Sequence, residues 1–153
     1  MTSHILRSGL VLVALGSVLR AEPLAALSSN GTQLAPQGGT VVLTATASYD
    51  NNPAALGWEV VLPPDWSLVG VSGANVPDIA PTKGSTGTME FAFVTIPAGK
   101  AEFALEVAYP PNAAGTTVES SALFRGDGKL TTVRPEPLTI TAPASRGRTA
   151  TRN

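Results

Sequence analysis

The sequence contains no cysteine and a single histidine, His4. Without cysteine, disulfides, thiol redox centres, cysteine nucleophiles and thiolate zinc sites are all excluded. Histidine-dependent catalytic triads are excluded as well, because His4 lies in an N-terminal leader that we expect to be removed. These absences take away most of the side chains that handle protons or metal ions near neutral pH. The sequence therefore predicts a protein that is not an enzyme, with no catalytic residue, no cofactor and no metal site.

The leader contains an apolar stretch too short to cross a bilayer. Residues 9–19 are eleven uncharged residues, whereas a membrane span needs about twenty. Basic residues before the stretch and small residues after it are typical of a signal peptide. We expect a signal peptide over residues 1–26, a secreted or cell-surface protein, and no transmembrane segment after cleavage. Arg20 disfavours cleavage at the neighbouring Ala21. Cleavage after Ala26 or after Ser28 is therefore expected at least as readily as cleavage at Ala21.

Charge is sparse and unevenly distributed. Charged residues make up 14% of the chain and the net charge is -1. Residues 30–143 contain ten acidic and five basic side chains, whereas the C-terminal tail adds three arginines. An acidic domain repels a phosphate backbone, so we expect no nucleic acid partner. The tail, residues 144–153, has no apolar side chain larger than alanine and is predicted to be disordered.

What the sequence does contain is a succession of short segments with alternating apolar and polar residues. The alternation is clearest in residues 101–109, where Phe103, Leu105, Val107 and Tyr109 share one face. A period of two is typical of a strand with one buried face and one wet face.

The spacing of these segments predicts the fold. About eight of them follow one another at intervals of eight to twelve residues, which favours an all-β, antiparallel two-sheet β-sandwich of about eight strands. We expect residues 40–143 to form it, after an extended lead-in over residues 27–39 with one edge strand at 32–35. The long loop at residues 73–87 is the natural contact element.

Several short motifs resemble a known group of domains. They are the run GWEVVLPPDWSLV at residues 57–69, Ile96-Pro97-Ala98, and Pro137-Leu138-Thr139-Ile140. The chain resembles exported bacterial β-sandwich domains of the cohesin-like and immunoglobulin-like kinds, in which a Leu-Pro-x-x-Trp/Leu step leads into a strand. The resemblance implies a fold and a compartment, and no catalytic or ligand residue comes with it.

Three residues are candidates for ligand contact. Aromatic residues make up only 5% of the chain, and a flat aromatic ring suits the apolar face of a sugar. Trp66 follows Pro-Pro-Asp at a strand entrance, and with Asp65 and Tyr49 it forms the predicted contact set. Trp58 is in register with buried positions and is predicted to be core.

Three functions remain open on the sequence alone. The first is a non-enzymatic secreted or cell-surface β-sandwich used for protein interaction, adhesion or structural assembly. The second is a carbohydrate-binding module, for which exposed aromatic rings are required. The third is a self-associating, polymerising subunit that donates its N-terminal segment, residues 22–37, as a strand to a neighbour's open edge. The partner is accordingly a protein, a glycan or a second copy.

Overall fold

The computed structural model describes residues 21–144. Most of the predicted signal peptide and nearly all of the predicted tail lie outside these residues. Nine strands make up the regular structure of the described part: β1 Leu24–Ser29, β2 Gly39–Ser48, β3 Ala55–Val61, β4 Ser67–Ser72, β5 Thr88–Phe93, β6 Lys100–Tyr109, β7 Thr116–Gly126, β8 Lys129–Val133 and β9 Leu138–Ile140. No helix that is long and apolar enough to cross a membrane occurs in residues 21–144.

The strands form two antiparallel sheets. The front sheet has four strands in the order β1-β2-β6-β4. The back sheet has the order β5-β3-β7-β8, and β9 also pairs with β7. The prediction of an all-β, antiparallel two-sheet sandwich is thus confirmed, with nine strands in the described residues rather than about eight.

Alternation along the long strands explains why the sheets stack. On β2, Val41, Leu43, Ala45 and Ala47 are buried while the residues between them are partly exposed. The apolar faces of the two sheets meet, and each buried large side chain contributes about 1.5–3 kcal/mol to folding. Phe103 of the front sheet lies at the centre of the core. The centroid of its ring is 6.2 Å from that of Trp58, 5.0 Å from that of Phe91 and 5.9 Å from that of Phe93.

The expected edge strand at residues 32–35 was wrong. In that stretch only Gln33 forms an isolated bridge, to Thr141, and the edge strand of the front sheet is β1 instead. Of the six side chains of β1, Leu27 alone is buried. Because alanine and serine occupy most of its positions, the sequence of β1 has no marked apolar alternation, and its pairing with β2 provides the backbone bonds that define it.

The connection from β1 to β2 crosses to the back sheet. The backbone N–H of Thr141 donates to Thr32 O at 2.8 Å, and Leu34 N–H donates to Thr141 O at 3.0 Å. Leu34 is only 3% exposed, and Ala35 N–H donates to the hydroxyl of Tyr109 at 3.0 Å. The segment predicted as the end of the signal peptide (to residue 26) and as a lead-in (27–39) therefore contributes the strand β1 and the core side chains of Leu27 and Leu34 to the sandwich.

Candidate interaction edge of the sandwich

Trp66 is part of the core. Its side chain is 2% exposed, and its ring packs on that of Tyr109 with centroids 5.5 Å apart. A ring enclosed in this way has no free face for a sugar. The prediction that Trp66 stacks on a ligand is therefore not compatible with its position, whereas the prediction that Trp58 is core is confirmed by its 2% exposure.

Tyr49 is also buried, and it fixes a turn. Its hydroxyl donates to Pro97 O at 2.5 Å, its backbone N–H donates to Gly99 O at 3.0 Å, and its ring contacts Phe124 edge-on. Burial raises the pKa of the Tyr49 phenol. These contacts attach the end of β2 to the turn between β5 and β6, and they leave no ring face for a ligand.

Asp65 has a conformational role. It is exposed, and its backbone adopts a φ of 65°. Trp66 N–H donates to Pro63 O at 3.2 Å, which closes a four-residue turn with Pro64 and Asp65 at its centre. A turn with proline first and a positive φ second is typical of type II, and aspartate tolerates the left-handed region better than most residues.

The three predicted contact residues do not form one site. Trp66 packs on Tyr109, which pairs with Gly39 at the start of β2. Tyr49 follows the other end of β2. Ten residues of strand at 3.3 Å each separate these ends by roughly 30 Å.

A cleft of about 510 Å³ lies at the Trp66 end of the sandwich. It runs between the Pro63-Pro64-Asp65-Trp66 turn and the connection from β6 to β7 over residues 110–116. Asp65 is its only carboxylate, so the cleft lacks the paired acids of glycoside hydrolysis. Elsewhere too, residues 21–144 bring no group of three His, Cys, Asp or Glu side chains together for a metal ion.

Glu102 on the front sheet is engaged by its neighbours. The carboxylate forms an ion pair with Lys100 at 2.7 Å and accepts from Thr46 Oγ1 at 3.5 Å. Lys100 is the main cause of a lowered pKa at Glu102. A general acid needs the opposite shift, so the lowered pKa does not fit that role.

The long loop at residues 73–87 covers the β4 edge of the front sheet. Leu68 N–H donates to Ser85 O at 2.9 Å, and Gly84 N–H donates to Leu68 O at 2.7 Å. Asn75 attaches the start of the loop to Glu102 through two further bonds, at 2.9 and 3.0 Å.

The same loop covers the β5 edge of the back sheet. Ile79 and Ala92 exchange two backbone bonds, at 3.0 and 2.9 Å. Asp78 Oδ2 accepts the N–H groups of Val94 and Thr95 at 2.6 and 3.1 Å. The loop exposes Val76 and Ile79, yet much of its backbone closes one side of the sandwich.

Two sheet edges remain, β1 in the front sheet and β8 in the back sheet. In the part of the chain that the structure describes, neither strand has a hydrogen-bonded neighbour on its outer side. An open edge offers a row of N–H and C=O groups to another chain. The contacts of both β7 and β9 with β1 place the two open edges on the same side of the molecule.

The two open edges differ in charge. β8 begins with Lys129 and is followed by Arg134 and Pro135. Charged side chains and proline are the usual means of preventing strand addition at an edge. β1 has no charged side chain from Leu24 to Ser29. We therefore identify β1 as the candidate interaction edge.

The sequence alone did not predict this edge, because residues 24–26 were expected to belong to the signal peptide. One signal was present, since the uncharged segment directly follows Pro23 and precedes the turn-forming residues Asn30 and Gly31. Proline before a strand and Asn-Gly after it are ordinary strand boundaries.

Comparison with known proteins gives no family. No family model and no curated protein match this chain. Among solved structures, a DUF4466 family protein from Parabacteroides merdae ATCC 43184 matches with a TM-score of 0.48 and 11% identity, over 79% of this chain and 45% of that protein. The cupredoxin domain of amoB from Nitrosocaldus yellowstonii matches with a TM-score of 0.48 and 8% identity, over 88% of this chain and 97% of that domain. This chain thus spans less than half of the first structure, and similarity at this level carries no argument about function.

Proposed function

We propose that this protein is an exported, non-enzymatic β-sandwich of the immunoglobulin-like or cohesin-like kind that acts in protein interaction at the cell surface or outside the cell. The observation that carries the proposal is that the four sheet edges differ in coverage and in charge. Two edges are covered by the protein's own loop, a third carries a lysine, and the β1 edge is open and uncharged. An open neutral edge fits addition of an extended segment from a partner protein.

The aromatic residues favour a protein partner over a glycan. Trp58 and Trp66 are each 2% exposed, and Tyr49 and Tyr109 are 8% and 9% exposed. These are all the tryptophans and tyrosines of the chain, so residues 21–144 offer no aromatic platform for a sugar ring.

The donated-strand alternative conflicts with the observed pairing. Leu24–Ser29 already fills a position in its own front sheet, with a register from Leu24 opposite Ser48 to Ser29 opposite Leu43. Donating this segment would require breaking that ladder and withdrawing Leu27 from the core.

The proposal is tested by cross-linking in the cells that make the protein. A photoreactive side chain replaces Ser28, which is exposed on β1, and a matched chain carries the same group in place of Thr86, which is exposed on the covered side. We expect adducts with another polypeptide from the Ser28 position and few from Thr86, with the protein recovered outside the cytoplasm. The proposal would be contradicted if Ser28 and Thr86 gave the same yield of adducts, or if neither gave any. Retention of the protein in the cytoplasm would contradict it as well.

A further inference from the structure

We propose that the partner at the β1 edge is a second copy of this chain, with the two β1 strands antiparallel about a two-fold axis at Leu27. The inference rests on the proposed function, since it names the partner of the same edge. It is argued from the backbone directions of β1, from its side-chain charges and from the contrast with β8.

One hydrogen bond shows which N–H and C=O groups of β1 point toward β2 and which point away from it. Asn30 N–H donates to Val42 O at 3.0 Å, in register with the β1–β2 ladder. Because hydrogen-bonded and non-hydrogen-bonded positions alternate along an antiparallel pair, Ala26 and Ser28 bond to β2. Ala25, Leu27 and Ser29 therefore direct their N–H and C=O groups away from β2. Among the described residues, none of these three has a backbone bond outside the ladder.

These three residues are self-complementary. With Leu27 opposite Leu27 of the second copy, Ala25 comes opposite Ser29 on both sides of the axis. Each such pair exchanges two bonds, so the arrangement forms about six backbone hydrogen bonds. Pro23 has no N–H and ends the pairing at the start of the strand.

Charge favours a second copy at β1 and opposes one at β8. Around the two-fold axis at Leu27, the exposed side chains of Ala26 and Ser28 face each other, and no charge meets another. In an antiparallel β8 pair, Lys129 of one copy would lie close to Arg134 of the other. Like charges across a strand pair are destabilising. A strongly acidic or basic partner, for its part, would find no charge on β1 to neutralise its own.

Because only the two β1 strands pair in the proposed dimer, we expect the two copies to bind each other weakly. Stable complexes bury roughly 1,200–2,000 Å² of total surface, more than two six-residue strands supply. We therefore expect a dissociation constant on the order of 100 µM and a front sheet that continues through the two-fold axis into the second copy. Such an interface would be concentration-dependent and isologous.

The first experiment uses two double variants that differ only in the sign of the charge at position 28. Ala26→Lys with Ser28→Lys places two lysines opposite each other at both symmetric positions, whereas Ala26→Lys with Ser28→Glu places opposite charges there. Both sites are exposed, so folding is preserved. In sedimentation at low salt we expect the first variant to weaken dimerisation and the second to strengthen it, each by several-fold up to about thirtyfold. Thr86→Lys, at an exposed position on the covered side of the sandwich, is the matched control and should leave dimerisation unchanged.

The second experiment uses the absence of native cysteine. Ala26 of one copy is directly opposite Ser28 of the other, at a position where side chains are close enough for a disulfide. An Ala26→Cys chain mixed with a Ser28→Cys chain should form more disulfide-linked dimer than either chain alone. A Thr86→Cys chain, with its cysteine on the covered side, serves as the control for random oxidation.

A wild-type chain that sediments as a monomer up to about 1 mM would overturn the inference. Equal responses of the two charge variants, or no excess of disulfide in the mixture, would overturn it too. If adducts at Ser28 in cells then contain a different polypeptide, the proposed function stands with a foreign partner. If Ser28 gives no adducts in cells while the purified chain dimerises as described, the inference of a dimer is supported and the proposed function is contradicted.

Discussion

Trp66 illustrates at the scale of one residue how burial decides between two roles. Because the indole is 2% exposed and packs on Tyr109, we expect Trp66→Ala to lower the free energy of unfolding by about 3–5 kcal/mol. Trp66→Phe, which keeps part of the ring volume, should cost less. Denaturant titration measures both changes. A Trp66→Ala chain with wild-type stability that had lost affinity for a glycan would restore the sugar-binding interpretation.

Ser120 is a residue whose replacement should raise the free energy of unfolding rather than lower it. Its Oγ is buried on β7 and has no hydrogen-bond partner among the described residues. An unpaired buried hydroxyl costs about 1–3 kcal/mol, so we expect Ser120→Ala to raise the free energy of unfolding by about 1 kcal/mol. Thermal denaturation of this variant beside Ser28→Ala, at an exposed site, tests the prediction. A clear loss of stability in Ser120→Ala would show that the hydroxyl is satisfied.

At the scale of an element, Asp78 couples the long loop to β5 in a pH-dependent way. The N–H groups of Thr95 and Val94 lower the pKa of its carboxyl from the ordinary value of 3.8. The folded state therefore favours the ionised form. The contribution to stability is fully present above pH 3.8 and is lost as the pH falls through the lowered pKa.

We therefore expect the Val94 and Thr95 amides to lose protection from hydrogen exchange in acid, before the central strands do. Measuring amide exchange by NMR from about pH 5 down to about pH 2 follows this change. In Asp78→Asn the acid-dependent step at these two amides should disappear. An identical pH profile in the variant would place the titrating group elsewhere.

Strands were predictable in proportion to their alternation. On β2 and β6, large apolar residues repeat every second position and face the core, so their faces and approximate bounds follow from the sequence. β1 has only Leu27 as a buried side chain, and its existence depends on backbone pairing with β2 rather than on an apolar pattern of its own. Such pairing leaves no local pattern, and for the same reason the open edge was not foreseen.

The candidate site was less predictable than the fold for a related reason. The sequence indicates which residue types suit a ligand, such as Trp66 and Tyr49, whereas exposure depends on how two sheets close around them. The loop at residues 73–87 likewise has the composition of a free loop, and only its bonds to Leu68 and Ala92 show that it covers two edges.

At the scale of the whole molecule, the proposed signal peptide and the fold both involve the N-terminal segment, because the predicted cleavage after Ala26 falls within β1. Cleavage after Ala26 would remove Leu24, Ala25 and Ala26, which pair with the end of β2 at Thr46–Ser48. Two of the three removed pairs are hydrogen-bonded, so about four backbone bonds would be lost. At about 0.5–1.5 kcal/mol for each bond, the loss is a substantial part of the stability of a domain of this size.

We therefore expect the mature chain to begin upstream of Leu24, which mass spectrometry of the exported protein tests directly. A chain beginning at Glu22 should be more stable to denaturant than one beginning at Leu27 by about 2–4 kcal/mol. The shorter chain should also aggregate more readily, because removing half of β1 leaves part of the β2 edge open. An exported protein that starts at Leu27 and unfolds at the same denaturant concentration as the longer chain would show that the first half of β1 is dispensable.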